Sequence, residues 1–264
     1  MLIDTHCHLN DERLLPELDK IIGGLAADNL WAIINASYDL ESSIKSVEIA
    51  EGNDAVFATV GTHPHEAITA SLAAYDRYAE LALSEKVVAI GEIGLDFFYD
   101  YSPRETQKKV FLEQLELADA LHLPVVLHIR DAYGEALDIL KNNKQFLKYG
   151  ALLHCYGGGA ELAREFLKLG CKFSFGGAIT FANAKHNVEA LKSLPLDAFM
   201  LETDCPYMTP VPYRGKVNYP KHLNIVAEKA AEILNVSIDA LAAQTNKNAL
   251  AFFASGAIKE PALM

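Results

Sequence analysis

"ALLHCYGGGAELAREFLKLGCKFSFG", residues 151–176, holds the fold in miniature. Ala151–His154 is an apolar run of strand length that ends on a histidine. After three glycines, apolar residues in Ala160–Leu169 recur at helical spacing. A second apolar run follows at Lys172–Gly176. Strand, helix and strand in one short stretch imply a crossover, so the two strands lie parallel in one sheet.

The same unit repeats outward in both directions. Strands are predicted at Leu2–His6, Trp31–Ala36, Val56–Gly61, Val87–Glu92 and Pro124–His128 before this stretch, and at Ala198–Thr203 after it. Helical patterns occupy Asp11–Asp28, Leu40–Ala50, Pro103–Leu121, Ala132–Lys141, Ala184–Leu191 and His222–Leu234. A last helix, near Ile238–Phe253, is expected beneath or beside the sheet. Eight strand–helix units predict a closed α/β barrel of the (β/α)8 TIM type, a fold of roughly 250 residues. The 264 residues fit one such domain over 1–264, with 255–264 as a frayed tail. The longest irregular stretch, Asp204–Pro220, follows the eighth strand and falls at the barrel mouth, where long loops are functional or disordered.

Composition narrows the function. No apolar run approaches the roughly 20 residues of a membrane span, and no signal peptide precedes the first strand, so a cytoplasmic location is expected. The four cysteines form no CxxC pair and read as free thiols. A net charge of −12 argues against a broad basic surface for duplex nucleic acid. It leaves room for an enzyme with bound divalent cations, which reverse the local field. No protein partner follows from the sequence.

The strand ends carry the chemistry. His6 and His8 close the first strand, Glu92 the fourth, His128 the fifth and His154 the sixth; Glu202 and Asp204 close the eighth. In a barrel all these ends meet at one mouth. Residues two apart share a strand face, so His6 faces inward with His8, and Glu202 with Asp204. A lone histidine at a strand end is usually a hydrogen-bonded core or loop residue, and His122, His186 and His222 read that way. Convergence from separate strands is different: imidazoles and carboxylates so close repel or desolvate one another unless a cation joins them. This donor set suits Zn or Mn and admits Mg. It exceeds the three protein ligands of a catalytic zinc, so two ions fit better than one, with Glu92 able to bridge them. Strands two and seven offer Asn35–Ser37 and Ser174–Gly177, with no evident ligand.

At these residues the sequence resembles the TatD family of metal-dependent deoxyribonucleases. The matching stretches are "DTHCHL" at Asp4–Leu9, "GTHPH" at Gly61–His65, "GEIGLDF" at Gly91–Phe97 and "HIRDA" at His128–Ala132. They continue with "HCYGG" at His154–Gly158, "ETDCPYMTP" at Glu202–Pro210 and "RGKVNYP" at Arg214–Pro220. The resemblance spans the chain in order. It implies that His6, His8, Glu92 and Asp204 hold one ion and that Glu92, His128 and His154 hold the other. One departure stands out: Tyr156-Gly157 replaces the family's usual Phe-Ser, exchanging one hydroxyl for another. A carbamylated-lysine barrel is excluded because strand four ends in Glu92.

The expected reaction is phosphodiester hydrolysis in DNA, single-stranded or at strand ends, in the manner of an exonuclease. Water bridging two ions becomes hydroxide near neutral pH, since coordination lowers its pKa from 15.7 to about 7. Asp204 is expected to accept its proton and Glu202 to orient the ligands. His63, Arg130, Arg214 and Lys216 are the candidate phosphate contacts. Arg130 has the alternative of pairing with Asp131, and the other two cations that of remaining solvated. Phe97, Phe98 and Tyr99 stack on a base or pack against the cap. Two other functions compete: the same site acting on an ester such as D-aminoacyl-tRNA, and a metal-binding partner protein with little catalysis.

Overall fold

The computed structural model describes residues 1–253 and Ile258. The tail expected at 255–264 therefore lies, apart from Ile258, outside the described residues. Eight strands form one sheet in chain order: β1 (Leu2–Cys7), β2 (Leu30–Asn35), β3 (Val56–Val60), β4 (Val87–Asp96), β5 (Val125–Arg130), β6 (Ala151–Leu153), β7 (Lys172–Phe175) and β8 (Phe199–Leu201). Each is parallel to the next. The helices between them are α1 (Leu18–Gly24), α2 (Leu40–Glu51), α3 (Leu72–Leu81), α4 (Arg104–Leu121), α5 (Tyr133–Asn142), α6 (Ala160–Lys168) and α7 (Lys185–Ser193). The helices α8 (Leu223–Leu234) and α9 (Ile238–Phe252) follow β8.

The ring closes between β1 and the segment after β8. Cys7 bridges Cys205, His8 N donates to Cys205 O at 2.7 Å, and Asp204 N donates to His6 O at 2.8 Å. Asp4 serves this seam: its carboxyl accepts from Thr203 N at 2.9 Å and from Thr203 Oγ1 at 2.6 Å. Burial pushes that carboxyl up to about 7 in spite of both bonds.

Inside the ring, Ile3, Ile34, Phe57, Val88, Val126, Leu152 and Met200 form one cluster with Ala249 and Phe253. Seven strands contribute to it, as the filled lumen of a small barrel requires. α9 closes the end where the strands begin. Asn246 accepts from Ile3 N (3.1 Å) and donates to Met1 O (2.8 Å), and Asn248 donates to Phe199 O (2.6 Å). The strand C-termini are left as the mouth.

β5 runs past His128 to Arg130, while β6 and β8 stop at Leu153 and Leu201, so His154, Glu202 and Asp204 stand just beyond their strands. Three departures from the sequence reading are larger. The helix expected over 11–28 shrinks to α1 behind a single 3-10 turn, Leu15–Glu17, because Pro16 lacks an N–H and restricts the residue before it. α3 was not expected. Only Ala74 and Tyr78 of it are buried while Leu72 is 80% exposed, so its apolar stripe is weak; the Ser71 hydroxyl caps it by accepting from Ala74 N (3.2 Å). β4 runs four residues past Glu92, which therefore sits within the strand rather than at its end.

Candidate metal centre

Glycines place Glu92. A side chain at Gly91 would stand 2.7 Å from Val126 Cβ, so only glycine allows β4 to pass β5 this closely. The β4/β5 register slips between Ile90 and Ile93, and Glu92 N turns to donate to Ser37 O at 2.8 Å. Gly94 (φ +137°) lies against the His128 carbonyl, where any Cβ would collide. Pairing then continues to Asp96 and Arg130, bringing His128 beside Glu92.

Glu92 is the hub of the site, and its two oxygens face different partners. Oε2 lies 3.2 Å from His6 Nε2 and 3.6 Å from His8 Nε2. Oε1 lies 2.8 Å from His154 Nε2 and 3.0 Å from His128 Nδ1. Asp204, at φ +55°, brings Oδ1 to 3.4 Å from His8 Nε2 and 3.9 Å from His6 Nε2. All six residues expected as ligands thus meet around one carboxylate. Clusters of metal-ligating type include His6, His8 and Glu92, and His63, Glu92 and His128.

The outer ring nitrogens show which lone pairs point inward. His8 Nδ1 lies 3.2 Å from Ala36 O, which can only accept, so in the neutral ring His8 Nε2 is the bare nitrogen. His128 Nε2 lies 3.0 Å from Asp96 Oδ2, which leaves Nδ1 bare. His154 Nδ1 is turned toward Glu202 Oε1 at 3.6 Å. Glu202 is itself held by Cys155 N (2.6 Å) and by the Ser174 hydroxyl. It stands behind His154 while Asp204 faces His6 and His8, so the pair does not act on one target as its spacing suggested. His6 Nδ1 is buried without a hydrogen-bond partner.

The inner nitrogens of His6 and His8 are 3.3 Å apart, and so are those of His128 and His154. At roughly the 2.1 Å of a Zn–N bond, such a pair subtends about 104°, near the tetrahedral angle. The chain thus offers two nitrogen pairs joined by one carboxylate, and the donor set fits two divalent cations.

The charges agree with that fit. Burial alone would raise the Glu92 carboxyl, yet His154 and His6 hold it well below the usual carboxylate range. Asp204 is likewise lowered against its burial, first by His8. Burial would lower His154, but Glu92 and Glu202 carry it well above the ordinary histidine value. His8 and His128 are raised in the same way, by Asp204 and Asp96 respectively. His6 goes the other way, lowered by burial and by His154 stacked on it at 3.9 Å.

Two residues of the site were not singled out from the sequence. Asp96 holds both His128 and His65 (each 3.0 Å) through Oδ2, and accepts from Phe98 N and Tyr99 N through Oδ1. Burial would raise its carboxyl, but the two imidazoles hold it far below the carboxylate range. Both residues lie within the quoted motifs, which was the available signal. Asn35 and Ser37 turn away into a buried network with Ser46 that supports the β2–α2 turn behind His8.

The expected phosphate contacts divide. His63 Nε2 is 3.6 Å from Glu92 Oε1, and its Nδ1 accepts from His65 N at 3.1 Å, so a neutral ring carries its proton on the inward Nε2. Burial and His128 lower His63 well below its ordinary value. Arg130 does not take the Asp131 alternative; its guanidinium lies over Phe98 at 3.9 Å and Tyr99 at 4.8 Å. Arg214 covers Phe181 at 4.2 Å, and Lys216 Nζ is 5.8 Å from the Tyr213 ring. Neither is joined to the Glu92 cluster by a hydrogen bond or ion pair among the described residues. Tyr156 is buried and donates to Gly159 O at 3.0 Å, so its hydroxyl fastens the β6–α6 turn.

The chain is similar over nearly its whole length to known proteins. Residues 3–254 match the family model described as TatD related DNase. The chain is 40% identical over 253 residues to YabD of Bacillus subtilis, named an uncharacterized metal-dependent hydrolase, covering 96% of this chain and 99% of that one. It is 34% identical to YcfH of Escherichia coli K12, named in the same words, over 94% and 93% of the two chains. The crystal structure of YjjV, a TatD homologue from Escherichia coli K12, superposes with a TM-score of 0.90 at 30% identity, covering 96% and 98%.

Proposed function

Because the chain belongs to the TatD family of metal-dependent hydrolases, we propose that it hydrolyses phosphodiester bonds of DNA, single-stranded or at strand ends, with two divalent cations held at Glu92. The observation that carries the reading is the division of Glu92: Oε2 faces the imidazole nitrogens of His6 and His8, and Oε1 faces those of His128 and His154, with His63 Nε2 a third at 3.6 Å. His6, His8, Glu92 and Asp204 would hold one cation, and Glu92, His128 and His154 the other. Imidazole nitrogens with carboxylate oxygens suit Zn or Mn and admit Mg. Bound there, the cations supply Lewis acidity toward the phosphoryl oxygens and ready ionisation of water.

The chain's own residues then have separate tasks. Asp204, whose carboxyl is held ionised, accepts a proton from the attacking water. His63 offers its inward Nε2–H to a phosphoryl oxygen, and burial keeps the ring neutral so that this donor does not compete as a charge. Ala36 O, Asp96 and Glu202 fix the rotation of His8, His128 and His154. Arg130 supplies a cation beside the β5 end of the mouth.

The test is a parallel assay. Protein loaded with Mn, Zn or Mg is given a single-stranded oligonucleotide, its duplex and a D-aminoacyl-tRNA, and bound metal is measured by elemental analysis. Approach to two ions per chain with cleavage of the single strand is expected. Cleavage of the aminoacyl ester with no DNA turnover under any metal would overturn the nuclease reading.

A further inference from the structure

All six phenylalanine and tyrosine side chains that are exposed among the described residues stand on loops that leave the C-terminal ends of strands: Tyr38, Phe98, Tyr99, Tyr101, Tyr207 and Tyr213. Single exposed rings are ordinary, whereas a contiguous exposed patch of them marks an interaction site. Three of them, on the β4–α4 loop, continue the site itself. His128 lies 6.1 Å from His65 between ring centres; His65 meets Tyr101 at 4.8 Å and Tyr99 at 5.4 Å. Tyr99 and Tyr101 are stacked at 5.2 Å, and Phe98 packs edge-on against Tyr99 at 4.9 Å. The Arg130 guanidinium lies over Phe98 at 3.9 Å. Rings thus run without a break from a candidate ligand to solvent, where Tyr101 is 67% exposed and Phe98 53%.

Resting on the nuclease reading, we propose that this ladder is a base-stacking track: Tyr101, Tyr99 and Phe98, backed by Arg130, hold unpaired nucleobases next to the scissile phosphate and select single strands. Every base has a π-face, and stacking on an aromatic ring tolerates any sequence. A duplex buries those faces within its own stack. The charge balance favours the same occupant. A net charge of −12 argues against a broad basic surface that would bind a duplex through its phosphates, which gives stacking a larger share of the affinity. Arg130 adds a cation beside the rings without demanding a paired helix. The ladder's continuity with His128 ties its occupant to the reacting strand rather than to a separate partner. Asp96 fastens the platform, since it accepts from Phe98 N and Tyr99 N while it orients His128.

Tyr99→Leu and Tyr101→Leu keep apolar bulk and the backbone bonds but remove the rings, and the phenylalanine variants restore them. On metal-loaded protein, each leucine variant is expected to raise KM for a single-stranded oligonucleotide roughly 5- to 150-fold, with kcat unchanged. The stacking quench of a 2-aminopurine placed in the strand should be lost in the leucine variants and regained in the phenylalanine ones. Hydrolysis of methyl p-nitrophenyl phosphate should stay at the parental rate. If the parent cleaves the strand but the leucine variants share its KM and quench, the track is wrong and the nuclease stands. The same follows if an abasic strand binds as well as the normal one. If the parent cleaves no oligonucleotide with any metal, the nuclease reading falls and the track with it.

Discussion

Asp204→Asn separates an enzyme from a metal-binding scaffold. The substitution keeps the shape and one acceptor oxygen, and the amide cannot take up a proton. Asp204 Oδ1 stands 3.4 Å from His8 Nε2 and 3.9 Å from His6 Nε2, with its carboxyl lowered and His8 raised. Losing a charged hydrogen bond of this kind costs about 1.5–3 kcal/mol. For a domain of this size each kcal/mol shifts Tm by roughly 2–4 °C, so chelator-treated protein should melt about 3–12 °C lower at pH 7. The sign follows from the direction of the Asp204 shift. A lowered carboxyl stabilises the fold above its unfolded value near 4, so the difference between parent and variant should shrink as pH falls through that range. Turnover with saturating metal should drop about 10²- to 10⁴-fold, the usual weight of a positioned base. Calorimetry and strand cleavage on one preparation give both numbers. A variant that melts early but cleaves at the parental rate would refute the role of Asp204 as base and leave it a structural residue.

Glu92→Gln should cut bound metal from two ions per chain to at most one by elemental analysis; two retained ions would contradict a bridging carboxylate. Loading metal at pH 7 should release protons, because His154, His128 and His8 are raised and must shed a proton to offer a lone pair. Titration calorimetry in buffers of different ionisation enthalpy measures the release, which should fall as pH rises above the ordinary histidine range and through the raised values of these rings. Asp96→Ala frees the His128 ring and should weaken metal affinity or activity about 10- to 100-fold, read by competition with a chromophoric chelator. Tyr156→Phe removes only the bond to Gly159 O, so it should cost about 0.5–1.5 kcal/mol of stability and leave strand cleavage unchanged.

The sequence by itself determined the alternation of strand and helix, and with it the barrel. Apolar runs of strand length and helical spacing are local patterns, and a crossover between parallel strands admits few other arrangements. It also brought His6, His8, Glu92, His128, His154 and Asp204 to one mouth, since a barrel gathers every strand's C-terminal end. Tertiary structure decided what those residues do to each other. The two faces of Glu92 depend on a register slip between Ile90 and Ile93. Asp96 holds His128 from 32 positions away, and Glu202 backs His154 across 48. Arg130 chose the rings of Phe98 and Tyr99 over the neighbouring Asp131. The Tyr156 hydroxyl went into a turn instead of the mouth. Spacing along a chain fixes which face a side chain shares with its local neighbours. Its partner across the barrel is set by strand stagger and ring rotation, which arise only when the whole sheet closes.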